Sequence, residues 1–454
     1  MLRILLVHPP CNPREKAFPL GLAYLAAALT AAGHRVTGLD LGVERPARWP
    51  AAAANVDVVG MSAMSATWPT VRQLLAALPP DQGRLVVVGG PHATLFPDEI
   101  LAEPVVDAAI AGEGDRVIGD VLRAWQQWRA GTGDAISAPS FPGVVWQQRW
   151  LQRGFRSQRD ALRIDELGAS SPDRRLFPLA AYTGMLTRRR RYTQMIASRG
   201  CRRACAHCPA SRLLPGGRSA RPVEDVVGEM VLLRERFGID EFHFEDDSLF
   251  EEPAYVGALC RQIRRELPGV LWQCPNGCHP ADLHLDMLAE LAAAGCYRIY
   301  LGLHGVSVGA MQRLERVWDP ATLDPLALEA GRLGLELGGY FTVGLPGESE
   351  ADMRATVRFA VASRLAWAQF TPFRFIPGSA LHAQRESLAG LLPPEPLVRR
   401  IVGLGYRQFY RSGGRWRYVL RSLNARNMTQ MLARAYRKLL RGSPAEDRIM
   451  SGGK

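Results

Sequence analysis

The feature that most constrains the fold of this chain is the repeated alternation of short apolar runs with segments of helical periodicity. It occurs in two blocks, residues 1–130 and residues 191–375, separated by a stretch without this pattern. Strands that alternate with helices along a chain form parallel sheets. We therefore predict an α/β protein with a doubly wound first domain, a partial barrel of six strand–helix units, and a short helical tail.

A chain of 454 residues is too long for one ordinary hydrophobic core. The predicted divisions are residues 1–135 for the first domain, 136–190 for a linker, 191–381 for the partial barrel and 382–454 for a helical C-terminal region. Within the linker, residues 143–146 and 150–155 are expected to pair as a hairpin. In the C-terminal region, residues 396–410 and 428–440 are expected to form helices.

Three cysteines, Cys201, Cys205 and Cys208, lie at spacings of four and three in one short loop after a predicted strand at residues 192–197. Thiolates grouped this closely point to a soft metal or an iron–sulfur cluster. A 4Fe–4S cluster held by three cysteines leaves one iron free for a small ligand. A zinc site is the alternative, with His207 as the fourth ligand, although His207 directly precedes Cys208 and both would have to reach one ion.

Glycines collect just after the predicted strands of the first block. Ligands of doubly wound sheets bind at the carboxyl ends of the strands, where glycine lets the backbone approach closely. A tight turn explains any single glycine, but three groups follow in order at regular spacing. No G-x-G-x-x-G occurs, which makes a dinucleotide less favoured. The candidate ligand contacts near these strand ends are Pro10, Ser62, Met64, Gly89, Gly90, Gly112, Glu113 and Gly114.

The cysteine loop resembles the C-x3-C-x2-C signature of the radical S-adenosylmethionine enzymes. The three glycine groups resemble the cobalamin-binding domain that precedes the radical domain in one subfamily of these enzymes. The resemblance implies a Rossmann-like cobalamin-binding domain followed by a partial (β/α)6 TIM barrel. It also implies a 4Fe–4S cluster held by Cys201, Cys205 and Cys208, S-adenosylmethionine on the free iron, and cobalamin. His207 takes the place of the aromatic residue that is usual beside the third cysteine.

The ends of the later predicted strands carry further parts of this resemblance. The acidic triplet after the second strand matches a motif near the methionine moiety of S-adenosylmethionine, and residues 343–348 match a motif beside the adenine. A carboxylate can accept hydrogen bonds from the ammonium group, although acidic residues at strand ends are often only turn formers. The contacts to S-adenosylmethionine that the resemblance implies are Glu245, Asp246, Asp247, Gly302, Val343, Gly344 and His207.

Two further residues are candidate catalytic groups, and each also has an ordinary structural interpretation. His304, with Gly305, replaces the acidic residue that is usual after the fourth strand, and the ordinary pKa of histidine suits proton transfer. Cys274 ends the third predicted strand and is expected to face the cavity. The first domain lacks the D-x-H-x-x-G stretch that supplies histidine to cobalt in other cobalamin domains. We therefore expect no protein imidazole below the cobalt.

The resemblance implies a cobalamin-dependent methyltransferase that acts on a carbon centre of a small natural-product or lipid-type molecule, through a 5′-deoxyadenosyl radical and methylcobalamin. A second hypothesis keeps this architecture but replaces methyl transfer with cyclisation, ring contraction or oxidation, with or without cobalamin. A third is a non-enzymatic basic protein that binds nucleic acid and holds a structural metal. Both enzyme hypotheses require an electron donor such as flavodoxin or ferredoxin.

The net charge is +12 and comes almost entirely from arginine. Basic charge attracts phosphate, and residues 188–191 and 400–441 are the candidate patches, but solvated faces and anionic cofactors explain the charge as easily. No apolar run reaches the roughly 18 residues of a membrane span, and no signal peptide is visible. The remaining cysteines show no disulfide framework. We therefore expect a cytoplasmic enzyme with a small-molecule substrate and no nucleic-acid partner.

Overall fold

The computed structural model describes residues 1–10, 17–78, 83–131, 140–160, 171–182, 184, 187–214 and 217–421. Two six-stranded sheets contain most of the strands, and two short pairs of strands lie beside them. Among the described helices, none is long and apolar enough to cross a membrane. The predicted helix at residues 428–440 lies outside the described residues.

The first part of the chain builds a doubly wound sheet. Its elements are, in chain order, β1 (Arg3–His8), α1 (Leu20–Ala31), β2 (Arg35–Asp40), α2 (Arg48–Ala53), β3 (Val58–Ser62), α3 (Trp68–Ala76), β4 (Leu85–Gly89), α4 (Pro91–Leu95), α5 (Pro97–Leu101), β5 (Ala108–Ile110), α6 (Gly114–Arg129), β6 (Phe141–Pro142), β7 (Val144–Trp146), α7 (Gln148–Leu151) and β8 (Ser157–Gln158). Five parallel strands lie in the order β2-β1-β3-β4-β5, and β7 adds an antiparallel edge. The switch point between β1 and β3 is where ligands of such sheets bind.

Both faces of this sheet are buried because helices cover each of them. Leu6 and Ile110 belong to a core shared with α1 and α6, whereas Val7 and Val88 belong to a second core shared with α2, α3 and α5. Strands covered on two faces need apolar side chains at successive positions, which explains the continuous apolar runs in the sequence. The predicted doubly wound domain is confirmed.

The predicted hairpin between residues 143–146 and 150–155 is wrong. β7 pairs with β5 in antiparallel register instead, so it extends the first sheet. α7 follows, and the rings of Trp150 and Phe155 pack against Trp146 in the core of that sheet. Burial of large aromatic side chains outweighs local strand pairing here. Packing of the first sheet therefore continues beyond residue 135.

The second part of the chain builds the partial barrel and its C-terminal helices. Its elements are, in chain order, β9 (Tyr192–Met195), β10 (Ser198–Arg199), α8 (Ala210–Leu213), β11 (Ser219–Ala220), α9 (Val223–Phe237), β12 (Glu241–Phe244), α10 (Pro253–Glu266), β13 (Leu271–Cys278), α11 (Met287–Ala293), β14 (Cys296–Gly302), α12 (Val308–Arg313), α13 (Leu323–Arg332), β15 (Glu336–Val343), α14 (Glu350–Ala362), β16 (Trp367–Pro372), α15 (Ala380–Ala383), α16 (Arg385–Leu388), α17 (Glu395–Arg411) and α18 (Trp416–Arg421).

Six parallel strands form this second sheet in the order β9-β12-β13-β14-β15-β16. Helices pack on its outer face over a core that includes Phe242, Trp272 and Phe341. Near the amino ends of β14 and β15, Arg298 and Glu336 form a buried ion pair at 2.7 Å. The carboxyl ends stay available for a site, as expected for a partial barrel.

The helix predicted at residues 396–410 is confirmed as α17. Ile401 and Phe409 are completely buried, and α17 packs against α14 and β16. The basic run at residues 188–191 takes part in the packing of the barrel, because Arg188 donates to Glu336, the first residue of β15, at 2.6 Å. At least one of its four charges is thus used inside the fold.

Candidate active site

The three thiols lie in a loop at the carboxyl end of the partial barrel. β10 pairs with β11, and the loop begins at Gly200, where φ is +81°. A Cβ at this position would lie 2.2 Å from the carbonyl oxygen of Gly217, so only glycine fits. Cys205 is buried, Cys201 and Cys208 are half-buried, and all three are free thiols. The three thiols are therefore unpaired in one loop at this end of the barrel.

Hydrogen-bond donors point at two of these sulfurs. Arg203 donates its backbone N–H to Cys201 Sγ at 3.4 Å, and Arg316 donates from Nη1 to Cys205 Sγ at 3.2 Å. The Cys201 thiol donates to Glu251 at 3.3 Å. Burial raises the pKa of Cys201 to about 12, so this thiol keeps its proton until a metal displaces it. Donors aimed at sulfur suit thiolates that bind iron.

The donor set fits a cluster better than a single metal ion. Within the described ranges, no three side chains of His, Cys, Asp or Glu converge as ligands of one ion. A zinc site needs four ligand atoms about 2.0–2.3 Å from one metal, whereas the cysteines of a 4Fe–4S cluster bind different irons and need not converge. The ring of His207 packs 4.3 Å from the ring of His304 instead of completing a zinc site.

Asp246 holds the backbone rather than facing a ligand. Its carboxylate, 4% exposed, accepts hydrogen bonds from the backbone N–H groups of Ala197 and Ser198 and from the Ser198 hydroxyl. The predicted contact from Asp246 to the ammonium group of S-adenosylmethionine is corrected accordingly, since these donors occupy the carboxylate. Glu245 is half-buried, and Asp247 is exposed and lines the cavity described below.

The surroundings of Gly302 leave no room for a side chain. A Cβ at Gly302 would lie 2.7 Å from Nη2 of Arg316, and Nε of Arg316 donates to the carbonyl oxygen of Gly302 at 2.8 Å. The guanidinium therefore occupies the space beside the glycine that was predicted to contact S-adenosylmethionine. The contact that the structure does show at Gly302 is with this arginine.

A turn held by Glu348 follows β15. Oε2 of Glu348 accepts the N–H groups of Gly344 and Leu345 at 2.7 and 2.9 Å. Gly344 has φ +89°, and a Cβ there would lie 2.8 Å from Val398 of α17. The side chain of Val343 is completely buried in the outer core. Val343 and Gly344 can therefore offer only their backbone to a ligand such as a flat ring.

His207 and His304, which differ from the residues usual in the family that the sequence resembles, contact each other. The ring centroids of His207 and His304 are 4.3 Å apart, and His304 Nδ1 is hydrogen-bonded to Thr342 Oγ1 at 2.9 Å. Burial lowers the pKa of His207 to about 4, and burial, reinforced by the positive charge of Arg316, lowers the pKa of His304 well below its ordinary value. Both rings are neutral at neutral pH.

Cys274 does not face the cavity, which corrects its prediction as a catalytic residue. Its side chain is 5% exposed and belongs to the hydrophobic core on the outer face of the barrel, together with Trp272 and Cys296. Burial raises the pKa of this thiol far above its ordinary range. Successive side chains of a strand point to opposite faces, so Cys274, two residues after Trp272, lies on the same outer face as Trp272.

A cavity of about 500 Å³ lies against the carboxyl ends of the first sheet and reaches the second domain. His8 lines it, and Pro10 is not among the described residues that do so. The other predicted contacts all line it: Ser62, Met64, Gly89, Gly90, Gly112, Glu113 and Gly114. The cavity continues as an apolar slot between the sheet and helices α1 and α6, over side chains such as Leu22 and Leu122.

Two glycines show that the cavity wall is built for close approach. Gly90 has φ +96°, and a Cβ there would lie 2.9 Å from the carbonyl oxygen of Ala63. A Cβ at Gly60 would lie 2.8 Å from Leu6 Cδ2. Thr94 ties the glycine loops together, since it donates to Gly90 and accepts from Gly112 at 3.0 and 2.9 Å. A glycine-lined mouth with an apolar slot behind it fits a large flat cofactor with a pendant group, as cobalamin is.

Arg199 connects this cavity to the cysteine loop. It is an immediate neighbour of Gly200, and its guanidinium reaches the first domain, where it pairs with Glu113 and with Asp115 at 3.3 Å. It also lies over the ring of Tyr24 at 4.4 Å. Sequence reasoning missed Arg199 and Arg316, although Arg199 stands two residues before Cys201. No local pattern marks Arg316, because its partners are more than ten residues away.

Two family models match separate parts of the chain. The model described as B12 binding domain matches residues 12–122, and the model described as Radical SAM superfamily matches residues 195–360. The first range contains β2 to β5 of the doubly wound sheet, and the second contains the cysteine loop and the strands β12 to β15 of the partial barrel. The cofactors of this chain are therefore cobalamin, a 4Fe–4S cluster and S-adenosylmethionine.

Two relatives and one solved structure match this chain over most of its length. A cytidylyl-2-hydroxyethylphosphonate methyltransferase from Streptomyces wedmorensis is 26% identical over 90% of this chain and 85% of its own length. An anaerobic magnesium-protoporphyrin IX monomethyl ester cyclase from Rubrivivax gelatinosus is 24% identical over 82% of this chain and 69% of its own. The radical S-adenosylmethionine methyltransferase TsrM from Kitasatospora setae, solved with cobalamin and a 4Fe–4S cluster bound, shares the fold with a TM-score of 0.68, at 19% identity over 87% of this chain and 76% of TsrM.

Proposed function

We propose that this chain, which belongs to the radical S-adenosylmethionine enzymes that carry a B12-binding domain, methylates a carbon atom of a small organic molecule. The observation that carries the proposal is the shared cavity, which is lined by the glycine groups of the first sheet and also by Arg199 and Asp247 beside the cysteine loop. A molecule in this cavity contacts residues assigned to both cofactors. The likeness to a methyltransferase over 90% of the chain supports the same reaction.

When bound, the cofactors supply a 5′-deoxyadenosyl radical and a methyl group carried by cobalt, and the chain has to position and shield them. We assign Cys201, Cys205 and Cys208 as the cluster ligands. Asp246 fixes the strand that precedes them, through its three hydrogen bonds to Ala197 and Ser198. A reduced donor such as flavodoxin or ferredoxin would deliver the electron.

We assign positioning roles rather than proton transfer to the two histidines near the cluster loop. Both rings are neutral at neutral pH because burial lowers their pKa values. Thr342 fixes the orientation of His304, and His304 in turn packs against His207. An uncharged, packed pair keeps water away from this side of the loop, and water exclusion protects reactive intermediates from side reactions.

The proposal is tested with protein purified and reconstituted without air, supplied with hydroxocobalamin, a reductant and S-adenosylmethionine that carries a labelled methyl group. We expect about four irons per chain, formation of 5′-deoxyadenosine, and label that is recovered in cobalamin before any substrate is added. Cys205→Ala is expected to lose the iron and 5′-deoxyadenosine formation. Iron-free protein, or a Cys205→Ala variant that still forms 5′-deoxyadenosine, contradicts the cluster assignment.

Candidate substrates then separate methylation from other radical chemistry. Label in the product of a small organic substrate supports methyl transfer to it, and the position of the label shows whether carbon receives the methyl group. The cyclase from Rubrivivax gelatinosus, which aligns with 82% of this chain, favours non-methylating chemistry as the second candidate. In that case 5′-deoxyadenosine and product form together, and the product carries no label.

A further inference from the structure

The guanidinium of Arg316 lies beside the cysteine loop. It is half-buried, and its Nη1 lies 3.2 Å from Cys205 Sγ. Its other hydrogen bonds go to the carbonyl oxygens of Gly302, at 2.8 Å, and Cys278, at 3.3 Å. Among the described residues, no carboxylate forms an ion pair with this guanidinium. Negative charge on the sulfur of Cys205, or on a group bound to that sulfur, is therefore needed to compensate the positive charge of Arg316.

The surrounding backbone is built to hold the guanidinium in this place. Two strand ends supply the carbonyl acceptors, β13 through Cys278 and β14 through Gly302. Glycine at position 302 leaves space for the guanidinium, since a Cβ there would lie 2.7 Å from Nη2 of Arg316. The loop is fastened to the same segment, because Ala206 donates its backbone N–H to the carbonyl oxygen of Leu314 at 2.9 Å. Loop and arginine are thus held as one unit.

We propose that Arg316 is a positioning residue that raises the reduction potential of the cluster through its hydrogen bond to the sulfur of Cys205. The proposal depends on Cys205 as a cluster ligand, which was assigned above. Hydrogen bonds to ligand sulfurs and net charge are among the factors that set the potential of iron–sulfur clusters. A fixed cation beside a thiolate stabilises the more negative, reduced cluster relative to the oxidised one.

The charge of Arg316 also reaches the neighbouring groups. Burial lowers the pKa of His279 to about 3, and the positive charges of Arg316 and Arg203 add to this effect. Arg203 is paired with the carboxylate of Asp282, whereas no carboxylate of the described residues pairs with Arg316. Removal of Arg316 should therefore change the electrostatic environment of the Cys205 sulfur.

The test is a redox titration of the reconstituted full chain, followed by electron paramagnetic resonance in the absence of S-adenosylmethionine. The variants are Arg316→Met, Arg316→Lys and the control Arg202→Met. Arg202 belongs to the same loop, but its side chain is half exposed and pairs with Glu252 at 2.6 Å. We expect a midpoint potential that is clearly more negative for Arg316→Met, intermediate for Arg316→Lys, and close to wild type for Arg202→Met.

Other results overturn the proposal. These are an unchanged potential in Arg316→Met, or a shift no larger than that of Arg202→Met. If Arg316→Met binds S-adenosylmethionine more weakly at an unchanged potential, the arginine serves that molecule instead. If Arg316→Met takes up no iron, the midpoint potential of Arg316→Lys tests the proposal in its place. If neither variant takes up iron, the proposal is overturned and Arg316 has only a structural role in the loop. Full iron content in Cys205→Ala would show instead that the cluster assignment itself is at fault.

Discussion

Asp246 is the residue on which the start of the cysteine loop depends most directly. Its buried carboxylate accepts three hydrogen bonds from Ala197 and Ser198, and the positive charge of Arg218 also acts on it. Burial raises the pKa of Asp246 from the ordinary 3.8 to about 6. Its protonation state therefore changes in a range that ordinary buffers reach.

The raised pKa predicts how stability depends on pH. Between about pH 4 and pH 6 the folded chain keeps a proton on Asp246 that the unfolded chain has released, so stability falls as pH rises through this window and levels off above it. The contribution is on the order of 2–3 kcal/mol. Asp246→Asn should lose this slope and take up less iron, because an amide offers one acceptor oxygen to three donors. Urea unfolding at several pH values and iron analysis measure both.

Asp240→Asn is the matched control for this prediction. Asp240 directly precedes β12, the same strand that Asp246 follows, but its side chain is about half exposed and pairs only loosely with Arg234 at 3.6 Å. This variant should keep the pH slope and the iron content of the wild type. Equal slopes in Asp246→Asn and wild type would mean that another group titrates in this window.

The site residues differ in how far sequence could predict them. The spacing of Cys201, Cys205 and Cys208 depends on one loop, so local sequence was enough to propose a cluster. Asp246 was found by its position at a strand end, but its partners are backbone groups some 50 residues away, and these turn a proposed ligand contact into a structural one. Arg316 has no local signal, since Cys205 is 111 residues away.

At the scale of elements, alternation of strand and helix was sufficient for both sheets but failed at the connector. All five parallel strands of the first sheet and all six of the second follow helical segments or lead into them, which is the pattern that predicts parallel pairing. β7 has three residues and the helix after it, α7, has four, so neither is long enough to show a periodic pattern. β7 joins β5 because Trp146 and Trp150 fill the core under α6, and three-dimensional packing of this kind leaves no periodic trace in sequence.

The junction of β4 and α4 carries a prediction about cobalamin. Gly90→Ala combines φ +96° with a Cβ placed 2.9 Å from the carbonyl oxygen of Ala63. Strain of this kind costs about 1–3 kcal/mol, and the loop can relieve it only if the backbone groups at the cavity mouth move. We expect hydroxocobalamin to bind roughly ten-fold more weakly, measured by titration followed by its visible absorbance.

Gly119→Ala is the control in the same domain. Gly119 lies inside α6, and a Cβ there would meet nothing within 4 Å. Alanine is favoured over glycine within helices by about 0.5–1 kcal/mol, so this variant should be slightly more stable and bind cobalamin as the wild type does. Equal cobalamin affinity in Gly90→Ala and Gly119→Ala would show that the conformation of the glycine loop does not affect cobalamin binding.

At the scale of the whole molecule, a buried ionic group holds the two sheets together. Glu229 of α9 accepts hydrogen bonds from Arg174 of the connector at 2.6 Å and from Arg221 at 2.7 Å. Arg221 also donates to the hydroxyl of Tyr24 in α1 at 3.1 Å. Sequence predicts both domains but not this contact between them, because its members lie as far apart as residues 24 and 229.

Glu229→Gln is predicted to loosen the docking of the two domains. The amide leaves two buried guanidinium groups without their shared negative partner, and removal of one member of a buried ion pair typically costs about 3–5 kcal/mol. Because the group spans the connector, α1 and α9, the loss falls on the interface. Calorimetry should therefore resolve two unfolding transitions where the wild type shows one, and amide exchange should increase in α1 and α9.

The matched control for the interface is Glu224→Gln. Glu224 lies one and a half turns earlier on the same helix and is exposed to solvent, so the loss of its charge should change stability by less than about 0.5 kcal/mol. If both variants unfold in one transition at the same temperature, the buried group does not hold the domains. If Glu229→Gln alone separates them, cobalamin affinity should fall in the same variant, because Arg199 and Asp247 reach the cavity only while the second domain stays docked against the first.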